Sequence, residues 1–142
     1  MPDTSRSAPL RPSRSDEAPS IELTSDCGNS PKNSRVQQLV AAFAAGNAAE
    51  ATPFLTADTI WQVIGGPSFE GNSAVQAGMM AQPKPSRVRV MHAISHGRVG
   101  AAELEIEFTD RIVRCAELLR FHDANCTRLQ SLSSYRIEVR LP

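Results

Sequence analysis

The chain has 142 residues, 41% of them hydrophobic, and its 15 basic residues balance 15 acidic ones. Zero net charge argues against a nucleic-acid partner, since binders carry a basic excess, and no stretch approaches the ~18 consecutive apolar residues of a membrane span. Cys27, Cys115 and Cys126 are odd in number and irregularly spaced; they match neither a disulfide framework nor a zinc pattern, so a reducing cytoplasm is the expected compartment.

Residues 1–32 hold five of the ten prolines and seven serines, with almost no apolar clustering. Such a segment cannot bury enough surface to offset the entropy of ordering it. It reads as a disordered tail, or as translation from a start codon upstream of the domain. No apolar run follows Arg6, Arg11 or Arg14, which excludes a secretory signal, and Asp3, Asp16, Glu17 and Glu22 argue against an organelle transit peptide. One domain is expected over residues 33–142, long enough for a single hydrophobic core.

Asn33 or Ser34 is the expected N-cap of a first helix, in which Val36, Leu39, Val40 and Phe43 recur at helical spacing up to Gly46-Asn47. A second short helix is expected over Ala48 to Leu55, with Pro53 in its last turn. Thr59 to Ile64 reads as a strand stopped by Gly65-Gly66-Pro67. Asn72 or Ser73 caps a third helix, Ala74 to Ala81, which Pro83 and Pro85 terminate. The alanines of the first helices suggest space left over a sheet.

Four stretches of alternation follow between Arg87 and Val139, and faces are assigned by phase. Val88, Val90, His92 and Ile94 share the apolar face of the first, and Ala102, Leu104, Ile106 and Phe108 that of the second. A three-residue Gly97-Arg98-Val99 loop would set His92 beside Leu104 and Arg89 beside Glu107. In the third, Val113, Cys115, Glu117, Leu119 and Phe121 face inward. In the last, Leu129, Ser131, Ser133, Tyr135, Ile137 and Val139 do so. The opposite face carries interleaved glutamates and arginines, the pattern of an antiparallel sheet covered by helices on one side.

The stretch Asp58-Thr59-Ile60-Trp61, the Gly65-Gly66 turn, Phe69-Glu70-Gly71 with a helix after it, the four-strand meander and the closing Ser133-Ser134-Tyr135-Arg136-Ile137-Glu138-Val139 resemble the NTF2-like superfamily. Within it they resemble the SnoaL-like group most. The likeness spans the domain and excludes the tail. It implies an α+β cone: three N-terminal helices packed in a bent antiparallel sheet of four long strands plus a short first strand. The superfamily includes ketosteroid isomerase, scytalone dehydratase, limonene epoxide hydrolase and polyketide cyclases beside non-catalytic modules, and fold does not decide among them. Ketosteroid isomerase resemblance would put a general-base aspartate near Val63, where valine cannot abstract a proton, and the Arg-Asp-Asp set of the epoxide hydrolase has no counterpart.

The expected function is binding of a small apolar molecule with cofactor-independent acid/base chemistry; the alternative is a non-catalytic interaction or dimerisation module. Glu117 and His92 are the polar intruders on the apolar face, two strand spacings or roughly 10 Å apart. That separation would let them flank a ligand as acid and base, or each could be satisfied locally. Trp61 stacks against the ligand or is ordinary core. Tyr135 donates to a ligand carbonyl or packs. His92 and His96 lie ~13 Å apart on a strand, so no metal site is expected. The resemblance also implies a homodimer through the outer sheet face.

Overall fold

A computed structural model of the chain describes residues 18–25 and 30–139. The expectations for residues 1–17 and 26–29 lie outside the described residues. Inside the segment expected as a tail, Ser20–Glu22 forms a short strand, β1, paired parallel to β4 (Arg87–His96). Paired chain therefore occurs before residue 33.

Helix α1 (Pro31–Ala45) starts earlier than expected. Ser30, not Asn33 or Ser34, is the N-cap: its hydroxyl accepts from the Asn33 N–H at 3.3 Å, and Pro31 occupies the first turn, where a missing N–H costs nothing. The helix ends at Gly46 as the sequence indicates, in the left-handed conformation (φ 71°) that glycine adopts without a Cβ penalty. Helix α2 (Ala48–Ala51) is capped by Asn47, and Pro53 sits in the single 3₁₀ turn that follows, Thr52–Phe54. Helix α3 (Asn72–Met80) is capped by Gly71 rather than by Asn72 or Ser73.

The sheet has seven strands in the order β1-β4-β5-β6-β7-β2-β3. The remaining strands are β2 (Leu55–Val63), β3 (Ser68–Glu70), β5 (Val99–Glu107), β6 (Ile112–Phe121) and β7 (Leu129–Val139). The expected five-strand antiparallel sheet is therefore corrected to a mixed one: β1 runs parallel to β4 and β2 parallel to β7. Helix α1 crosses β4 and β5, and α3 crosses β2 and β3. Val36, Leu39, Val40 and Phe43 of α1 join Leu104, Ile106, Leu119, Phe121 and Leu132 of the sheet in one core.

Register departs from expectation at two points. The β4–β5 turn has two residues, Gly97 and Arg98, because His96 pairs with Val99; Gly97 takes the positive φ (57°) that such a turn requires. An extra residue, Met91, then interrupts the ladder between Val90–Leu104 and His92–Glu103. A second interruption at Gln130 separates Phe121–Leu129 from Arg120–Ser131. Each is a β-bulge, and each exchanges the two faces of its strand beyond it.

Candidate functional site

Because the bulge at Met91 turns Ala93 inward, His92 and Ile94 lie exposed on the outer face rather than in the apolar phase. The bulge at Gln130 likewise turns Leu132, Ser134 and Arg136 toward the helices. Ser131, Ser133, Tyr135 and Ile137 turn away, leaving Tyr135 42% exposed. Glu117, on uninterrupted β6, keeps its expected inward phase and is 2% exposed. The expected Glu117–His92 pair is thus split between opposite faces of the sheet. Tyr135 is separated from Trp61 in the same way. Of the four residues singled out from sequence, the structure unites Glu117 and Trp61.

One row of side chains crosses the inner face from Ala93 through Ala102, Glu117 and Ser134 to Val63. Small neighbours on both sides leave the Glu117 carboxyl lying beside Ser134. The Ser134 hydroxyl donates to Glu117 Oε2 at 2.5 Å, and the Trp61 indole N–H donates to Ser134 Oγ at 3.0 Å. The three side chains form a linear relay whose acceptor end is the carboxyl. Burial pushes the Glu117 carboxyl up to about 7; the Ser134 hydrogen bond and the positive charge of Arg136 oppose the rise without cancelling it.

Arg136 is the fourth member. Its Nη1 donates to Gln82 Oε1 at 2.6 Å, and Gln82 Nε2 donates to the Phe43 carbonyl at 3.0 Å, tying the segment after α3 to both β7 and α1. Its Cζ stands 5.8 Å from the Trp61 ring centroid, in reach of a cation–π interaction. Nε and Nη2 are buried with no acceptor among the described residues. Trp61 itself is held edge-on by Phe43, centroids 5.1 Å apart, and stacked on Phe69 at 5.0 Å. Gly78 makes that stack possible, since a Cβ there would come within 2.7 Å of the Phe69 ring.

Ser134 and Arg136 are what a reading by strict alternation misses. The available signal was chemical: a lone carboxyl on an apolar face needs a donor, and Ser134 and Arg136 are polar residues on the neighbouring strand. Cys115, one row from Glu117, has its thiol pushed up to about 12, first by burial and then by the Glu117 charge, which leaves it no thiolate for nucleophilic work. Away from this cluster, His122 Nε2 lies 3.1 Å from Asp58 Oδ1 at the start of β2. The Thr56 hydroxyl also donates to that carboxylate and, with His122, holds it below the usual range.

No family model matches the sequence, and no curated protein matches it closely. Solved structures do match. An NTF2-like protein of unknown function from Burkholderia xenovorans LB400 superposes with a TM-score of 0.66 at 17% identity, covering 79% of this chain and 87% of its own. A candidate ketosteroid isomerase from Kribbella flavida gives 0.65 at 11% identity, over 79% of this chain and 82% of its own. A candidate SnoaL-like polyketide cyclase from Shewanella denitrificans gives 0.60 at 10% identity, over 75% and 90%. At such identities the likeness speaks to architecture alone: the chain has the NTF2-like fold.

Proposed function

We propose that the interior cluster is a small-molecule site in which Glu117 is the acid/base group, Ser134 and Arg136 supply polar contacts, and Trp61 with Phe43 and Phe69 forms an aromatic wall. The observation that carries this reading is a carboxyl buried in apolar surroundings at the end of a hydrogen-bonded relay, with an affinity for protons poised near neutrality. The orphaned Nε and Nη2 donors of Arg136 suit a ligand that brings a carbonyl oxygen. Such a ligand could lose a proton to the Glu117 carboxylate while Arg136 holds the negative charge that develops on the carbonyl oxygen, and take a proton back from the resulting carboxylic acid as that charge collapses. No cofactor is needed for that step. That the structural neighbours include proteins described as a candidate ketosteroid isomerase and a candidate SnoaL-like polyketide cyclase supports this reading.

A second reading has its own support. Trp61 is 1% exposed and Glu117 2%, so the interior is closed around the cluster. On the outer face, Ile94, Leu118, Tyr135 and Ile137 are exposed beside ion pairs such as Arg89–Glu105 (3.5 Å) and Arg114–Glu103 (2.5 Å). A non-catalytic module that pairs with a second copy through this face fits those facts.

A thermal-shift screen of apolar carbonyl compounds, sterols, terpenoids and polyketide aromatics separates the two. A ligand at a hundred times its Kd adds ~2.7 kcal/mol, a rise of several degrees. A shift that Glu117→Gln or Trp61→Ala removes supports the interior site. No shift across the panel, together with a dimer mass that Ile137→Glu abolishes, supports the module.

A further inference from the structure

The outer face of the sheet changes character along its strands, and the pairing register gives it row by row. At the start of β4, Arg87, Glu107, Ile112 and Val139 form one row, and Arg89, Glu105, Arg114 and Ile137 the next. The arginines of these rows are neutralised. Arg87 pairs with Glu22 (2.6 Å) and Glu107 (3.9 Å), Arg89 with Glu105 (3.5 Å), and Arg114 with Glu103 (2.5 Å) and Glu105 (3.8 Å). At the other end of the same strands Ile94, Ala101, Leu118 and Ser133 form a row, and His96, Val99, Arg120 and Ser131 the last one. Neither of these two rows holds an acid.

Three exposed arginines, Arg98, Arg120 and Arg128, gather at that end, and none forms an ion pair among the described residues. Backbone bonds fix their proximity. The Phe121 N–H, next to Arg120, donates to the Arg98 carbonyl at 2.7 Å, and the His122 N–H donates to the Arg128 carbonyl at 2.9 Å. Behind them Lys32 Nζ donates to the Gly97 carbonyl at 2.9 Å and Arg35 Nη1 to the Asn125 carbonyl at 3.0 Å, so two more cations rest on neutral oxygens. The carboxylates at this end are already committed. Asp123 accepts from the Thr127 and Arg128 N–H groups and the Thr127 hydroxyl, and Asp58 accepts from Thr56 and lies against His122. A chain of zero net charge thus carries one positive corner.

What stands beside the charge decides the partner. Ile94, Val99 and Leu118, in the same two rows, are 65%, 45% and 49% exposed. Protruding aliphatic side chains rimmed by unpaired arginines suit an anionic bilayer surface, where apolar contact and charge attraction are each weak alone and add when combined. Nucleic acid fits less well, because neither row holds an aromatic side chain on which a base could stack. A second copy fits less well too. A two-fold axis through this corner would set the arginines against their own counterparts, with no acid in either row to receive them.

We propose that this corner of the outer face, with Arg98, Arg120 and Arg128 around Ile94, Val99 and Leu118, docks the protein on an anionic lipid surface. The proposal does not depend on the reading given for Glu117. Co-sedimentation of the full chain with phosphatidylcholine vesicles, with and without phosphatidylserine, tests it at low and at physiological salt. Three variants accompany the wild type, each checked by its melting curve: Arg120→Glu, Ile94→Ser, and Arg89→Glu as the same charge reversal among the neutralised rows. One basic side chain at an anionic surface is worth roughly fivefold in the binding constant, and reversing it adds repulsion. The expected result is uptake by the anionic vesicles alone, weaker at higher salt. Arg120→Glu should weaken it at least tenfold, Ile94→Ser severalfold, and Arg89→Glu by less than about twofold. No uptake by anionic vesicles, or equal loss in Arg120→Glu and Arg89→Glu, overturns the proposal. So does tighter retention on duplex DNA than on the vesicles, which would assign the corner to nucleic acid. A dimer mass that Arg120→Glu abolishes, without lipid uptake, would overturn it in favour of a second copy.

Discussion

The middle of the sheet and its flanks are made of similar residues but differ in regularity. β5 and β6 pair without a break from Val99–Arg120 to Glu107–Ile112, and each keeps one phase along its length. Their neighbours β4 and β7 each carry one extra residue, Met91 and Gln130, and each changes phase there. The site draws on both kinds of strand. Glu117 comes from a regular one, and its partners Ser134 and Arg136 are aimed inward only because β7 has a bulge. The same device on β4 sends His92 out and brings in Ala93, which leaves the row beside Glu117 lined by small side chains. Bulges here select which polar residues meet the carboxyl.

The strongest way to break this contrast is to insert one alanine after Leu132 on β7. Regular pairing beyond the insertion would drive Ser133 and Tyr135 inward and Ser134 and Arg136 outward, away from Glu117. Loss of the cooperative melting transition is the expected outcome, whereas deletion of Gln130 keeps the same pairs and the same inward face; an insertion variant that melts like the wild type would mean that phase is not what sets the face.

Glu117→Gln comes next, because it removes the charge and keeps an acceptor for Ser134. In the folded chain the carboxyl holds its proton up to about pH 7, whereas the ordinary value is 4.5. Between those values the folded state binds more protons than the unfolded one, so this group's contribution is fully present below about pH 4.5 and is lost as pH rises through 7. The loss is on the order of 3 kcal/mol for so buried a group. Melting curves from pH 4 to 8 should fall for the wild type and flatten for the variant, which becomes the more stable of the two at pH 8. Parallel profiles would contradict a raised Glu117.

The smallest effects are expected outside. His92→Ala and Tyr135→Ala remove exposed side chains on the far face and should change stability by no more than ~0.5 kcal/mol, with the pH profile of the interior untouched. A His92→Ala variant that altered the Glu117 titration would restore the pairing expected from strict alternation.

How much of the site was legible in sequence follows the same division. Glu117 was found from its phase because β6 obeys the period of two from Val113 to Phe121. Trp61 was found because β2 is marked by its aromatic and β-branched run before a glycine turn. Ser134 and Arg136 were not found, since alternation counted from Leu129 places them outside. A bulge leaves no reliable mark in composition: Met91 and Gln130 are unremarkable strand residues, and only the competition among core side chains selects the inserted position.

By itself the sequence determined the order of helices before a meander, the glycine stop of α1, the inward phase of β5 and β6, and the likeness to the NTF2-like superfamily. These depend on neighbours within a few positions, where capping, φ preference and side-chain period act directly. Tertiary structure decided the parallel pairings of β1 and β2, the two bulges, and the Trp61–Ser134–Glu117 relay with Arg136 beside it. The parallel pairings join segments dozens of residues apart, and the bulges and the relay depend on which side chains fill the space between helix and sheet, a quantity that no local pattern carries.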